Sequence, residues 1–182
     1  MIKDFKTFAE AMLESNQVHQ YGCAMVYFDF PYITELHKWI APEHLYTEDA
    51  DNSYGAEQNP HVTLLFGLHS GEIDDRRVLE MCKAKPIGQI TLQNASLFES
   101  ENYDVLKYDA VNSVLNEINR ELSQLPHTMN FPDYHPHSTV AYIKKGLGKM
   151  YAEKLTGQTH TVAPTKIVYS KPNGEEIVEN LN

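Results

Sequence analysis

The spacing of apolar and polar positions changes several times along the chain, and each change marks an element. Phe5, Phe8, Ala9, Met12 and Leu13 recur at helical spacing and predict a short amphipathic helix over residues 4–15. Residues 22–30, Gly-Cys-Ala-Met-Val-Tyr-Phe-Asp-Phe, are rich in strand formers and stop at Pro31. Thr34 is placed to cap a helix running through Trp39 and Ile40. Residues 41–59 hold Pro42, a run of acids and Asn59-Pro60, and predict a long irregular connection. Such a loop is uncommon in a compact domain and is often functional.

A second strand is expected over residues 61–68, then a helix from Asp74 or Asp75 through Val78, Leu79 and Cys82, ended by Pro86. Strands near 87–99 and 103–109 flank the polar segment Glu99 to Asn102. Val111, Val114, Leu115, Ile118 and Leu122 give the most strongly patterned helix, with Pro126 after it. Beyond a proline- and histidine-bearing loop at 127–136, residues 137–143 predict a strand that Gly146 and Gly148 break. A helix around 149–156, a strand at 166–170, a Pro172-Asn173-Gly174 turn and a returning strand at 176–179 complete the chain. Helices interleave with hairpin-like strand pairs, which predicts one α+β domain over residues 1–182 with mixed or antiparallel sheets rather than a doubly wound parallel sheet. The order strand, helix, then a strand opening on His-x-Thr occurs in both halves, a weak internal repeat.

Those two openings, His61-Val62-Thr63 and His137-Ser138-Thr139, carry the chemistry. Alternate side chains on a strand share a face, so each His stands ~6.7 Å from its Thr. Strict alternation sends Val62, Leu64 and Phe66 to the other face of the first strand, and Ser138, Val140 and Tyr142 to that of the second. It leaves the small residues Gly67 and Ala141 on the His face, with room for a ligand. Cleaving a phosphodiester requires one group to take a proton from the attacking oxygen and another to protonate the leaving oxygen. Imidazole, with an ordinary pKa of ~6.5, does either near neutrality. Thr hydroxyls can donate to the nonbridging oxygens, where charge accumulates. Lys145 shares parity with His137 and Thr139 and is a candidate for the phosphate. With nine histidines in the chain, one His-x-Thr is a commonplace. Two, each opening an apolar strand after a proline (Pro60, Pro136), are not.

Composition narrows the partners. Fifteen basic against 25 acidic residues leave a net charge of −10, which disfavours a charge-driven grip on long nucleic acid but not a small anionic substrate held by local donors. Two cysteines, Cys23 and Cys82, cannot build a disulfide scaffold or a four-cysteine zinc site. Charges at Lys3, Asp4, Lys6, Glu10 and Glu14 interrupt any signal-peptide core, and no stretch reaches the ~20 apolar residues of a membrane span. A cytoplasmic protein without obligate protein partner is expected.

The segments Asn59-Pro60-His61-Val62-Thr63-Leu64-Leu65-Phe66-Gly67 and His135-Pro136-His137-Ser138-Thr139-Val140-Ala141-Tyr142 resemble the two-histidine (2H) phosphoesterase superfamily. The likeness is greatest to its bacteriophage branch, which includes anti-CBASS phosphodiesterases that degrade cyclic oligonucleotide signals of bacterial immunity. It implies a duplicated bilobal fold whose two sheets form a groove, and a catalytic tetrad of His61, Thr63, His137 and Thr139 that works without metal or other cofactor. The expected substrate is a small nucleotide with a 3′–5′ phosphodiester, such as a cyclic di- or trinucleotide. Ala141-Tyr142 stands where the RNA-ligase-like branch commonly has a basic residue. An RNA-terminal 2′,3′-cyclic phosphodiesterase and a cyclic-nucleotide sponge that never cuts are the alternatives.

Bases need aromatic platforms, for which Tyr27, Trp39 and Tyr169 are the candidates. The acidic stretch from Glu43 to Glu57 is expected as solvated loop, or as a lid carrying Tyr46 or Tyr54. A metal site from His135, His137, Asp133 and His61 is disfavoured, because the ligands fall partly in a proline-bearing loop.

Overall fold

The structure is a computed structural model, described here for residues 21–49, 51, 53–128 and 133–181. The helix expected over residues 4–15 lies outside the described residues. The elements run β1 (Tyr21–Phe28), α1 (Ile33–Lys38), β2 (His61–His69), α2 (Asp75–Lys83), β3 (Ile90–Glu99), β4 (Tyr103–Val111), α3 (Ser113–Leu122), β5 (His137–Lys144), α4 (Gly148–Lys154), β6 (His160–Val162), β7 (Pro164–Ser170) and β8 (Glu176–Asn180). Asp74 caps α2 by accepting from the Arg76 N–H, and Asn112 caps α3 by accepting from that of Val114. The short strand β6, lacking a clear apolar run, was not foreseen in the sequence pattern.

Two four-stranded sheets form, in the orders β2-β1-β7-β8 and β5-β4-β3-β6, and every pairing is antiparallel. The repeat seen in the sequence is therefore structural. The unit β1-α1-β2-α2 matches β4-α3-β5-α4, and β2 and β5 are the edge strands at which the sheets meet. Helices α2 and α3 back the first sheet, while α1 and α4 back the second. One continuous core links both halves through Val62, Leu64, Leu106, Tyr108, Leu115, Ile118, Val140 and Ile167, all essentially buried. Burial of such side chains, about 1.5–3 kcal/mol for each large apolar one, is the main attraction between the lobes.

Both motif strands carry a bulge at the same place. Ala24 pairs with Leu65 and Met25 with Thr63, leaving Leu64 unpaired; Leu106 pairs with Ala141 and Lys107 with Thr139, leaving Val140 unpaired. The extra residue reverses the alternation. The half-buried face thus holds His61, Thr63 and Phe66 on one strand, and His137, Thr139 and Tyr142 on the other. Phe66 and Tyr142, expected on the opposite face, join the His face, and Ala141 turns into the core. Alternation alone cannot reveal a bulge, because both register choices leave an apolar row inside.

The carbonyls released at the bulges are met by a helix of the other repeat. Asn119 of α3 donates to the Leu64 oxygen at 2.7 Å, and His37 of α1 donates through Nε2 to the Val140 oxygen at 3.0 Å. Each helix therefore fastens the motif strand of the other repeat. Asn119→Leu would leave a buried carbonyl without its partner, at a cost of about 1–3 kcal/mol. Thermal denaturation should show a midpoint lower by about 2–4 °C for each kcal/mol lost. An unchanged midpoint would remove the bond from the account.

The connection inside each repeat also crosses over to the other. Residues 45–46 and 55–57 run along the free edge of β5, through Tyr46 N–H to the Tyr142 oxygen, Tyr142 N–H to the Gly55 oxygen and Glu57 N–H to the Val140 oxygen. Residues 126–128 run along β2 in the same way, His69 N–H to the Pro126 oxygen and Thr128 N–H to that of Gly67. Where a solvated loop is expected, residues 45–46 and 55–57 thus cover an edge and satisfy the backbone groups of an otherwise open strand.

Candidate active site

His61 and His137 open their strands on the half-buried face, and each ring is held in the same way. Nδ1 lies 2.8 Å from the backbone oxygen two residues earlier, Asn59 for His61 and His135 for His137. A carbonyl can only accept, so Nδ1 carries the proton and Nε2 is the nitrogen left for chemistry. The intervening Pro60 and Pro136 favour an extended conformation at the residue before, which sets up that return bond. A His-Thr pair is consequently presented by each of two edge strands packed against each other, Thr63 beside His61 and Thr139 beside His137.

Around each imidazole stands an aromatic ring with a lysine over it. Tyr27 pairs with His61 across the β1–β2 ladder, its ring centroid 5.1 Å away and tilted 35°, and Lys166 Nζ sits 4.9 Å above the Tyr27 ring. Phe98 meets His137 edge-on at 4.7 Å, and Lys107 Nζ sits 4.7 Å from the Phe98 centroid. Phe98, Lys107 and Lys166 escaped the sequence reading. Lys107 had a signal that went unused: a lone cation inside the apolar strand Tyr103-Asp104-Val105-Leu106-Lys107-Tyr108.

The surroundings make the two histidines unequal. Removal from water pushes His137 down from 6.5 to about 4; the His135 carbonyl and Asp109 oppose this, and the charges of Lys107 and His61 reinforce it. Between pH 4 and 6.5 the unfolded chain binds the extra proton at this site and the folded one does not. His137 therefore makes the fold less stable as pH falls through that window, with the loss complete below about 4. An NMR titration of the His137 ring should give a midpoint near 4, and a midpoint at the ordinary 6.5 would contradict this environment. Burial, then the charges of Glu176, Cys23 and Glu57, raises Tyr27 to about 12, so it remains a neutral phenol at working pH. Burial likewise holds Cys23 at about 12, against a hydrogen bond from Thr63, so this thiol is no nucleophile.

The other candidates lie elsewhere. Tyr169 is fully buried in the core, its hydroxyl 2.7 Å from Ser70 Oγ, and offers no face to a base. Trp39 caps the C-terminus of α1 and is exposed, beside Leu36, Ile40 and Tyr151 on the helical side of the second sheet. Lys145 lies past the end of β5, eight residues or about 26 Å of strand from His137, and its Nζ is 3.2 Å from the buried Asp104. Tyr46 and Tyr54 belong to a small aromatic cluster with Tyr103 and Tyr142, ring centroids 4.8–5.5 Å apart, rather than to a free lid. Among the described residues, no three His, Cys, Asp or Glu side chains gather as metal ligands, and no helix is long and apolar enough to cross a membrane.

A cavity adjoins each motif. One, about 510 Å³, is lined by Tyr27, Asn59, Pro60 and Lys166 beside His61. The other, about 620 Å³, is lined by Phe98, Lys107, Asp109, His135 and Pro136 beside His137. Both fall within the usual range for small-ligand sites.

No family model and no curated protein matches the sequence. Among solved structures, Usb1 of Kluyveromyces marxianus is similar at a TM-score of 0.52 and 9% identity, over 88% of this chain and 98% of that one. The same protein with uridine monophosphate matches at 0.52 and 8%, over the same shares. LigT of E. coli complexed with 3′-AMP matches at 0.48 and 16%, over 90% and 96%. With its two curled antiparallel sheets, few helices and internal repeat, the chain has the duplicated α+β fold of the 2H phosphoesterases.

Proposed function

We propose that this chain is a 2H-type phosphodiesterase that uses its two imidazoles as acid and base, with no metal required. One observation carries the reading: two His-x-Thr faces on adjoining edge strands, each imidazole tied through Nδ1 to a backbone oxygen and free at Nε2. One Nε2 takes the proton of the nucleophile, a ribose 2′-hydroxyl or water, as its oxygen bonds to phosphorus. The protonated Nε2 of the other histidine gives its proton to the departing 5′-oxygen as the P–O bond breaks. The product is a 2′,3′-cyclic phosphate or a phosphate monoester, together with a 5′-hydroxyl, and solvent exchange resets both rings. Thr63 and Thr139 donate to the nonbridging oxygens.

The finer proposal is a small nucleotide with an internal 3′–5′ linkage, cyclic di- and trinucleotides of bacterial immune signalling first among them. Two observations support it. One cavity opens at the Asn59-Pro60 entry to the first motif and another at the His135-Pro136 entry to the second, two recesses where a terminal cyclic phosphate needs one. The net charge of −10 also suits a short substrate better than a long strand. Tyr27, beside His61, is the aromatic candidate retained for base contact.

The test is a panel of cyclic dinucleotides, cyclic trinucleotides and RNA 2′,3′-cyclic ends incubated in EDTA and resolved by chromatography. Cleavage of a cyclic oligonucleotide is expected. Cleavage confined to RNA ends moves the substrate class, and ligand recovered intact after tight binding replaces the enzyme with a sponge.

A further inference from the structure

The two repeats place equivalent residues opposite equivalent residues, so a difference at a matched position is informative. Opposite Thr63 the first repeat has Met25, whereas opposite Thr139 the second has Lys107. Lys107 is held where a lysine is seldom found. Its side chain is 8% exposed, beneath Phe98, and its Nζ bonds to Asp109, which itself faces His137 across the ladder. Burying an ammonium is unfavourable unless a counter-charge or an anionic ligand meets it. Asp109 is 40% exposed at the mouth of the cavity that Lys107 lines, so it can yield one of the three ammonium protons to a second acceptor.

We propose that Lys107 is a member of the site, its ammonium binding the nonbridging phosphate oxygen held by Thr139, and that its place directly opposite Thr139, where the first repeat sets Met25 opposite Thr63, makes His137 the base and His61 the acid. The charged and titratable groups facing His137 are Lys107 and Asp109 of β4 and His61 of β2. Lys107 is the permanent cation among them. It opposes a second positive charge on the ring beside it, and it draws the phosphate toward that ring. His61 has Tyr27 across the ladder and Met25 opposite Thr63; the lysine on its side, Lys166 of β7, sits over the far side of Tyr27, one strand further from the ring than Lys107 is from His137. In the Michaelis complex the His137 Nε2 lone pair removes the nucleophile's proton, and His61 Nε2–H delivers its proton to the leaving oxygen.

The inference rests on the phosphodiesterase reading, and the experiment keeps the two apart. Wild type, Lys107→Met (which copies Met25), Lys107→Arg and Asp109→Asn would be compared in two ways. Turnover of a cleaved phosphodiester gives kcat/KM against pH. Titration with inorganic phosphate, followed on the His61 and His137 ring signals by NMR, needs no turnover. Lys107→Met should lower kcat/KM about 10²–10³-fold, the usual loss for one donor to a developing anion. It should also weaken phosphate binding, raise the His137 titration midpoint and move the acidic limb of the rate profile to higher pH. Lys107→Arg should recover part of the rate, and Asp109→Asn should lose less than Lys107→Met. A Lys107→Met protein with unchanged melting, turnover within threefold of wild type and unaltered phosphate binding overturns the proposal. So does an equal loss in Asp109→Asn, which would make Lys107 half of a structural strap. If wild type cleaves nothing in the panel, the phosphodiesterase reading fails, and the phosphate titration still decides whether Lys107 binds the anion.

Discussion

His61→Ala and His137→Ala are each expected to lower kcat/KM at least 10²-fold and as much as 10⁴-fold, the range of positioned acid–base groups. The large size follows from the division of labour. With one imidazole gone, the remaining one cannot both accept the first proton and deliver the second in the same step. The double variant should be hardly slower than the worse single one, because residues acting in one concerted step are strongly non-additive. Asn and Gln at either position should fare no better than Ala, since neither side chain shuttles protons near neutral pH. Steady-state kinetics on the cleaved panel member, with melting curves to show that folding is intact, measure this. A loss below about tenfold in both single variants would mean the imidazoles do not perform the chemistry.

Gly67→Ala is expected to give the largest loss of stability, about 2–5 kcal/mol, from two additive causes. Gly67 has φ +84°, in the left-handed region that a Cβ disfavours. A Cβ built there would also lie 2.0 Å from the Thr128 backbone oxygen, so the segment alongside β2 would have to move away. That movement breaks the bond from Thr128 N–H to the Gly67 oxygen and disturbs the covering of the strand that carries His61 and Thr63. The expected result is a midpoint in thermal or urea denaturation well below wild type, with activity falling more steeply than folded fraction. A variant as stable as wild type would show that the segment shifts at no cost. Gly146, whose φ is similar but which has nothing within 4 Å, is the control and should cost only the backbone preference.

Much of this protein is legible in short stretches of its sequence. The His-x-Thr pairs, their placement at strand openings and the strand–helix–strand repeat are local matters, written in residues within a few positions of one another. Helices α2 and α3 were legible for the same reason, each beginning at an Asp or Asn cap before a 3.6-residue apolar period. Errors arose wherever a neighbour distant in sequence decided the outcome. Phe66 and Tyr142 were assigned to the wrong face because a bulge is created by the partner strand's register. Tyr169 looked like a base platform because a tyrosine on a strand can be buried or exposed, and only the packing of β7 between β1 and β8 buries it. Lys145 shared the parity of His137 on paper, but the strand ends before it and Asp104 holds it.

The chain's own order of residues determined the α+β class, the duplication and the identity of both imidazole–hydroxyl pairs, since these depend on periodicity and on side-chain type. Tertiary structure decided which side chains surround them: Tyr27 and Lys166 beside one histidine, Phe98 and Lys107 beside the other. The physical reason is that hydrogen-bonded registers and burial act between strands far apart in the chain. An ammonium's surroundings, and hence its effect on a neighbouring ring, are set by those distant contacts and leave no pattern in the sequence around Lys107.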